Sequence, residues 1–586
     1  MGAYLTSGSR FRAEPLPAAS RLLLWGLLLV ALAVLVVEAG HTPFFEPDEA
    51  RYAEIPREML ASGDWVLPHQ NGLVYIEKPP LAYWLVAGSY GLFGVNEAAA
   101  RLPGKLATVG TMLALFLFAR RRAGERAGAL AALFFGGSLL GFGLARIVLI
   151  DPILTAAQTA AVLSFAALGE EGSSPRRERA LALAFAVAAA AAVLLKGLVG
   201  VLLPGGAVLL WTAATGRTRP LRALLSPWAV LTFLALAVPW HVAAASREPG
   251  FLSFYFVREH FERFLLPNHR RLGAPWYFLA VVAGGFLPFT PLLPRLRSVW
   301  PGRRRAAWAA RPLETFLFLW VLLVVGFFSL SKSKLIPYVH PVFPSLALLL
   351  ALAVARDEEG SVLRDGERWS IAGLLGVLAA AAAWAGASDD LAVPGLAGPV
   401  LGLAVALLAG FLLVGIGPTL APERGLLLVG AAWVLFLGGA HLVLPAWARW
   451  DSSWPVAAAM KETLRPGDLL VQRGDYVESL PFYAGRLTPL SRIGAGSELT
   501  FGRSRDHNGI FQTDEEFSRL WNGPRRVLAV LHREVLGEWA APGNRRRPYR
   551  ILATAHRDRW VLVSNDSDGP LARSALGGGP EAAAIR

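Results

Sequence analysis

Apolar runs of about 20 residues, the length that carries a helix across a bilayer, recur from Arg21 to Leu444 and leave this chain few ways to fold. Roughly 13 windows qualify, near 21–40, 103–119, 127–146, 152–168, 179–195, 198–214, 225–243, 274–293, 313–329, 335–354, 370–386, 394–416 and 425–444. Only 17% of the residues are charged, against roughly a quarter in soluble proteins, so lipid is the main solvent. The first run, LLLWGLLLVALAVLVVEAG, is long for a signal peptide and lacks an A-x-A-like site, and is expected to stay as an anchor. There is no cysteine, which excludes disulfides and thiolate metal sites.

The net charge of +14 reads as membrane topology rather than affinity for nucleic acid. Short loops keep Lys and Arg on the cytoplasmic side. Arg10, Arg12 and Arg21 fall into that set, with Arg120, Arg121, Arg122, Arg126, Arg176, Arg177, Arg179, Arg217, Arg219, Arg222 and the arginines between 295 and 311. The N-terminus is then cytoplasmic. The loop after the first span, Asp151, Lys196, the 244–273 loop, the SKSK at 331–334 and the C-terminal region fall on the outer side. Loops with interesting chemistry thus converge on one face.

Polar residues concentrate in FFEPDEARYAEIPREMLASGDWVLPHQNGLVYIEKPP at 44–80, which sets Glu46, Asp48, Glu49, Glu54, Glu58, Asp64 and Glu77 against Arg51, Arg57 and Lys78. Pro47 suits the first turn of a helix and Asp48 its positive end. Tyr52, Ile55 and Met59 form an apolar stripe, and Pro56 is expected to split the segment. With LAYWLVAGSYGLFGV at 81–95, this predicts two helices lying at the outer interface. Beyond Pro445 the pattern changes: DLLVQRG, RRVLAVL, YRILATA and DRWVLVS read as strands, with helical patterns near VESLPFYAG, DEEFSRLW and HREVLGEWA. The organisation expected is a membrane domain over 1–446 with an outer catalytic loop at 41–102, a periplasmic α/β domain over 447–565, and a disordered tail over 566–586.

Asp48 and Glu49 follow two phenylalanines and precede Arg51. A carboxylate there could be a plain helix cap, as could Asp151, which precedes Pro152 at the outer start of a span. Ionisable groups at a membrane boundary with partners on the same side are nonetheless site candidates. Lys78 follows Glu77 and precedes two stiffening prolines; it could neutralise a phosphate, or simply snorkel to the headgroups. The loop REPGFLSFYFVREHFERFLLPNHRRLGAPWY offers Arg258, Arg263, Arg270 and Arg271 as planar forks for a phosphate. His260 with Glu77 makes a weak divalent-metal signal, two ligands without tight spacing. FFSLSKSKLIPYVHP adds Lys332, Lys334, Tyr338 and His340 on the outer side, where positive charge runs against the usual bias, and Lys196 lies at a neighbouring joint.

In order along the chain, DEARYAEIPREMLASGDWVLPHQNGLVYIEKPPLAYW, ARIVLIDPILT, LLKGLVG, PGFLSFYFVREHFERF, HRRLGAPWYF and SKSKLIPYVHPVFPSLALLLA resemble the bacterial aminoarabinose transferases that modify lipid A. More broadly the chain is similar to the protein O-mannosyltransferase-related integral-membrane glycosyltransferases of the GT-C fold. The resemblance covers roughly residues 21–355, departs from the family at PPLAYW, and is weak over the last three spans and the outer domain.

The fold this implies is an α-helical polytopic GT-C membrane protein with a small soluble α/β C-terminal domain. The implied donor is a sugar, 4-amino-4-deoxy-L-arabinose among the candidates, on a polyprenyl-phosphate carrier. Transfer with inversion to lipid A or another envelope acceptor is implied at the outer face of the inner membrane. Asp48 and Asp151 take the catalytic positions, with Glu49 beside them. Lys78, Arg263 and Tyr338 are the implied phosphate holders, and Arg51, Tyr52, Lys196, Arg258 and Lys334 complete the substrate-binding candidates. Glu77 and His260 are the candidate contacts of an optional divalent metal. The rival from another class is a transporter or flippase of a lipid-linked glycan, which would show matching halves and broken helices at mid-membrane. A polymerase or ligase would share the donor and differ in acceptor.

Overall fold

The computed structural model describes residues 21–566, except for parts of 22–41 and 389–394 and the short segments 171–173, 266–272, 303, 358–361, 495–498, 507–508, 540–548 and 556–558. Most of the 21–40 span, His269, Arg270 and Arg271, and the tail from 567 lie outside the described residues. Among the described residues nine helices are long and apolar enough to cross a membrane, or ten if the bent pair Tyr277–Gly285 and Thr290–Ser298 counts as one.

The difference from roughly 13 expected spans has local causes. Residues 103–119 and the start of 127–146 fall in one 40-residue helical stretch, Glu97–Gly136, whose backbone breaks at Ala123 and Gly124. The 127–146 window is not one straight rod either. Gly137 ends the stretch, and Ser138 caps a separate short helix, Leu139–Ala145, by accepting from Gly141 N. The 198–214 window becomes Val199–Thr215, only 17 residues long, and the 274–293 region is bent by 99°.

The helix predicted from Asp48 is continuous over Asp48–Ser62, running through Pro56, and closes on Gly63 in the left-handed conformation. It does not lie on a lipid interface. Glu49, Ala50, Arg51, Ala53, Glu54, Ile55, Pro56, Glu58 and Met59 are all buried, so protein encloses nearly the whole circumference, and that enclosure holds the helix together across the proline. The second short helix, Leu81–Phe93, does keep an apolar face open, through Leu85, Leu92 and Phe93. Between them β1 (His69–Gln70) and β2 (Leu73–Val74) form a hairpin. Its turn residues, Asn71 and Gly72, both have positive φ, the conformation an Asn-Gly turn adopts most readily.

Among the described residues the C-terminal region builds six strands: β3 (Leu469–Arg473), β4 (Leu490–Ser491), β5 (Phe511–Gln512), β6 (Val527–His532), β7 (Arg550–Ala555) and β8 (Trp560–Ser564). Their order is β5-β4-β3-β6-β8-β7. β3 and β6 run parallel with Leu469 opposite Val527, while β8 runs antiparallel to both β6 and β7. The two-residue strands β4 and β5 carry too little pattern to be read in advance. This domain is not an appendage. Its core residues Val456, Met460, Leu480, Phe482 and Tyr483 share one apolar cluster with Phe44, Ala50, Ala53, Tyr90 and Ala100 from the first loop and the helix after it.

Candidate active site

Asp151 opens the helix Ile150–Leu168 and Lys196 closes Pro175–Lys196, so two adjacent helices deliver an acid and a base to the same end of the bundle. Lys196 Nζ lies 2.5 Å from Asp151 Oδ1 and 4.7 Å from the centre of the Tyr338 ring. At the opposite ends of these helices Glu170 pairs with Arg122 and Arg177, part of the arginine-rich set.

Gly197 turns the chain after Lys196 at φ +73°, where a Cβ would collide with His260 Nε2 and Tyr255 Oη. Only glycine serves there. The facing element, Ser253–Glu262, is a π-helical turn, a form that concentrates at functional sites.

A cavity of about 390 Å³ opens here, with Glu77, Lys78, Lys196, Glu259, His260, Arg263 and Tyr338 on its polar side and Leu198, Leu202, Phe261, Phe264, Phe327 and Phe328 among its apolar walls. Glu259 organises the cations: its Oε2 lies 3.4 Å from Lys78 Nζ and 2.7 Å from Arg263 Nη1. Arg263 Nη1 is also 3.7 Å from Glu77 Oε2. Burial works against the Arg263 charge, yet Tyr338, Glu259 and Glu77 outweigh it and hold its pKa up. The cavity therefore pairs fixed positive charge with an apolar channel, the two halves of an amphiphile bearing an anionic head.

Asp48 lies at the start of the first-loop helix with its side chain 46% exposed, its Oδ1 accepting from Arg51 Nη1 at 3.1 Å. Burial pushes the Tyr52 phenol well up, and the charges of Tyr83, Asp48 and Asp151 add to the shift against Arg51.

Other candidates are placed elsewhere. Glu49 is committed to structure: its Oε1 accepts from Arg101 Nε at 2.7 Å and Val148 N at 3.0 Å, its Oε2 from Phe45 N at 2.9 Å, and it is buried. It does not line the cavity. Arg51 binds protein carboxylates rather than the cavity, joining Asp48 to Glu478. Arg258 is exposed and stacks on Phe254, and Lys334 donates to Ser329 O at 2.7 Å. Neither lines the cavity.

Glu77 and His260 share the cavity wall but are poorly suited to a divalent cation. His260 Nδ1 faces Tyr255 O at 2.7 Å, and its Nε2 accepts from Leu198 N at 3.1 Å, so both ring nitrogens are engaged by backbone. Glu77 Oε2 accepts from Tyr75 Oη at 3.2 Å. Among the described residues no three His, Cys, Asp or Glu side chains gather as a ligand set. Among the described residues, Glu77 and His260 do not by themselves form a ligand set for a divalent cation.

Two charged groups were given no role by the sequence reading. Glu259 carried a usable signal, standing four residues before Arg263 on what reads as a helical turn. Glu478, inside an ordinary VESL segment, carried none.

Residues 27–255 match the family described as dolichyl-phosphate-mannose-protein mannosyltransferase, and residues 456–565 match the aminoarabinose transferase C-terminal domain. The chain is 38% identical over 324 residues to an undecaprenyl phosphate-alpha-4-amino-4-deoxy-L-arabinose arabinosyl transferase of Edwardsiella ictaluri, covering 55% of this chain and 57% of the relative. The protein of the same name from Aeromonas salmonicida is 34% identical over 351 residues, 58% of this chain and 61% of its own. These matches thus span little more than half the length of the curated relatives. The crystal structure of ArnT from Cupriavidus metallidurans bound to undecaprenyl phosphate superposes with a TM-score of 0.81 at 28% identity, covering 95% of this chain and 100% of that one. The fold is the GT-C fold of that enzyme, an α-helical multi-pass membrane domain with a small mixed-sheet domain at its C-terminal end.

Proposed function

We propose that this chain is an integral-membrane glycosyltransferase of the aminoarabinose transferase kind, moving a sugar from a polyprenyl-phosphate carrier to a cell-envelope acceptor. The single observation that carries the reading is the cavity in which Lys78, Arg263 and Tyr338 converge beside apolar walls, next to the ion-paired Asp151. A lipid phosphate seats its charge on Lys78 and Arg263 while its first isoprene units lie along Leu202, Phe261 and Phe264.

In the transfer step the acceptor oxygen forms a bond to the anomeric carbon as the bond from that carbon to the phosphate oxygen breaks. The electron pair leaves with the phosphate. Lys78, Arg263 and Tyr338 stabilise the charge that grows there, which lowers the barrier because these donors are already in place. Lys196 is held by Asp151 at the edge of the same cavity. With a hydroxyl acceptor, the half-exposed Asp48 takes the proton, an effect worth about 10²–10⁴ in rate. With a phosphate acceptor no base is needed, and Asp48 and Asp151 orient a cationic amino sugar instead.

The relatives' names support 4-amino-4-deoxy-L-arabinose as the sugar and undecaprenyl phosphate as the carrier. Lipid A is the acceptor we infer, at the outer face of the inner membrane, with the N-terminus cytoplasmic and the C-terminal domain periplasmic. The segregation of Arg122 and Arg177 to the bundle end away from Asp151 and Lys196 supports that orientation. A transporter or flippase gains no support from the comparisons. The test is transfer from undecaprenyl-phosphate aminoarabinose to lipid A in proteoliposomes, followed by mass spectrometry. Asp48→Asn and Asp151→Asn are each expected to abolish product while still inserting; wild-type turnover in either would refute the assignment.

A further inference from the structure

Arg51 is 3% exposed and its guanidinium stays charged at any physiological pH, so the fold must surround it with negative charge. Two carboxylates do this from different arms. Nη1 lies 3.1 Å from Asp48 Oδ1, whose side chain is 46% exposed, and Nη2 lies 3.0 Å from Glu478 Oε1, whose side chain is 8% exposed. The better buried carboxylate comes from the C-terminal domain. Its second oxygen is held by Gln70 Nε2 from the first-loop hairpin. That hairpin is fixed in turn by Asn71, which donates to Thr488 O at 2.7 Å and accepts from Thr488 N at 2.8 Å. Ser479, next to Glu478, donates its N–H to Glu46 Oε1 at 3.2 Å, and Tyr483 Oη accepts from Phe44 N at 3.2 Å. Residues 478–483 thus strap the C-terminal domain across the start of the helix that carries Asp48.

The division of Arg51 between two acids has a chemical consequence. A guanidinium prefers both its arms on one carboxylate. With Glu478 occupying one arm, Asp48 is held by the other alone and keeps its second oxygen for the substrate. Without that charge, Arg51 is drawn round onto Asp48 and takes both oxygens. We infer that Glu478 is a positioning residue for sugar transfer, acting through Arg51 on Asp48, so that the C-terminal domain completes the active site of the membrane domain. This rests on the reading of Asp48 as the carboxylate that meets the substrate.

Glu478→Gln separates charge from packing, because the amide keeps the size of the carboxylate. Gln70 Oε1 is buried without a partner, so the Gln70 amide can flip to accept from the new amide. The experiment uses the full chain in proteoliposomes with undecaprenyl-phosphate aminoarabinose and lipid A, comparing wild type with Glu478→Gln, Glu478→Asp and Tyr483→Phe. The expected result is a kcat for Glu478→Gln lower by on the order of 10- to 100-fold. Its donor KM stays within about twofold, its melting temperature falls less than that of Glu49→Gln because Arg51 keeps Asp48, Glu478→Asp recovers part of the loss, and Tyr483→Phe stays near wild type, with turnover expressed per folded molecule. Wild-type kcat in Glu478→Gln overturns the inference alone. Equal losses in Glu478→Gln and Tyr483→Phe, tracking a lower melting temperature, overturn it as well, since docking would then explain everything. An inactive wild type overturns the transferase reading, and this inference falls with it.

Discussion

The cavity around Arg263 and the seam beneath the C-terminal domain lie at the same end of the molecule and use the same residue types, yet they treat charge in opposite ways. In the seam buried acids outnumber bases, Glu46, Glu49, Glu54, Glu58 and Glu478 against three arginines, and each arginine is taken up by one of them: Arg101 by Glu49, Arg51 by Glu478, and Arg57 by Glu54 through two contacts of 2.6 Å. On the cavity wall the balance is reversed: Lys78, Lys196 and Arg263 face two carboxylates, Glu77 and Glu259. A buried pair closed on every side, such as Glu49 with Arg101, holds structure, whereas Arg51 also reaches the half-exposed Asp48. A cluster with cationic capacity to spare, beside an apolar wall, is prepared for an anion that the chain does not itself supply.

That contrast is open to attack on both sides. The largest effect is expected at the cavity, where Lys78→Ala and Arg263→Ala should each lower transfer by about 10²–10³-fold. Their melting temperatures should stay close to wild type; measured turnover near wild type in both would mean that the phosphate binds elsewhere. In the seam, Glu49→Gln leaves Arg101 buried without its counter-charge and should cost about 3–5 kcal/mol of stability. Activity per folded molecule should persist, and thermal unfolding read alongside turnover separates the two.

Glu46 gives a smaller effect that depends on pH. Burial raises its pKa to about 7, against hydrogen bonds from Ser479 and Ser453 that act to lower it. A raised carboxylate binds its proton more tightly in the folded state than in the unfolded one. Stability is therefore greatest below about pH 4.5, falls as pH rises toward 7, and levels off above. The total change is about 3 kcal/mol, and Glu46→Gln should flatten the dependence of melting temperature on pH across that window. The smallest effect is expected outside both regions: Arg258→Ala should leave transfer within about twofold, as an exposed arginine stacked on Phe254 holds nothing in the cavity. Chelation of divalent cations should likewise leave turnover unchanged, given a His260 ring bonded at both nitrogens.

How far the site could be read in advance varies residue by residue. Asp151 and Lys196 were legible because a charge at the end of an apolar run has one place to go. Asp48 and Glu49 were not separable, being adjacent and of the same chemistry. On a helix they point about 100° apart, and only the packing shows that Glu49 turns in to Arg101 while Asp48 stays half open. The interfacial reading of the first-loop helix failed for a related reason. Its stripe of Tyr52, Ile55 and Met59 does not reveal that the polar face is also covered, by the hairpin and the C-terminal domain.

By itself the sequence determined the membrane-spanning character, the polar ends of the helices and the strand-rich C-terminal region. These follow from local periodicity and the energetics of burying backbone in lipid, which act over 20 residues or fewer. Only the tertiary structure decided which charges would be consumed by one another. The Arg51–Glu478 pair joins residues 427 positions apart, and whether a carboxylate is a brace or a reagent depends on the partner that arrives from across the chain.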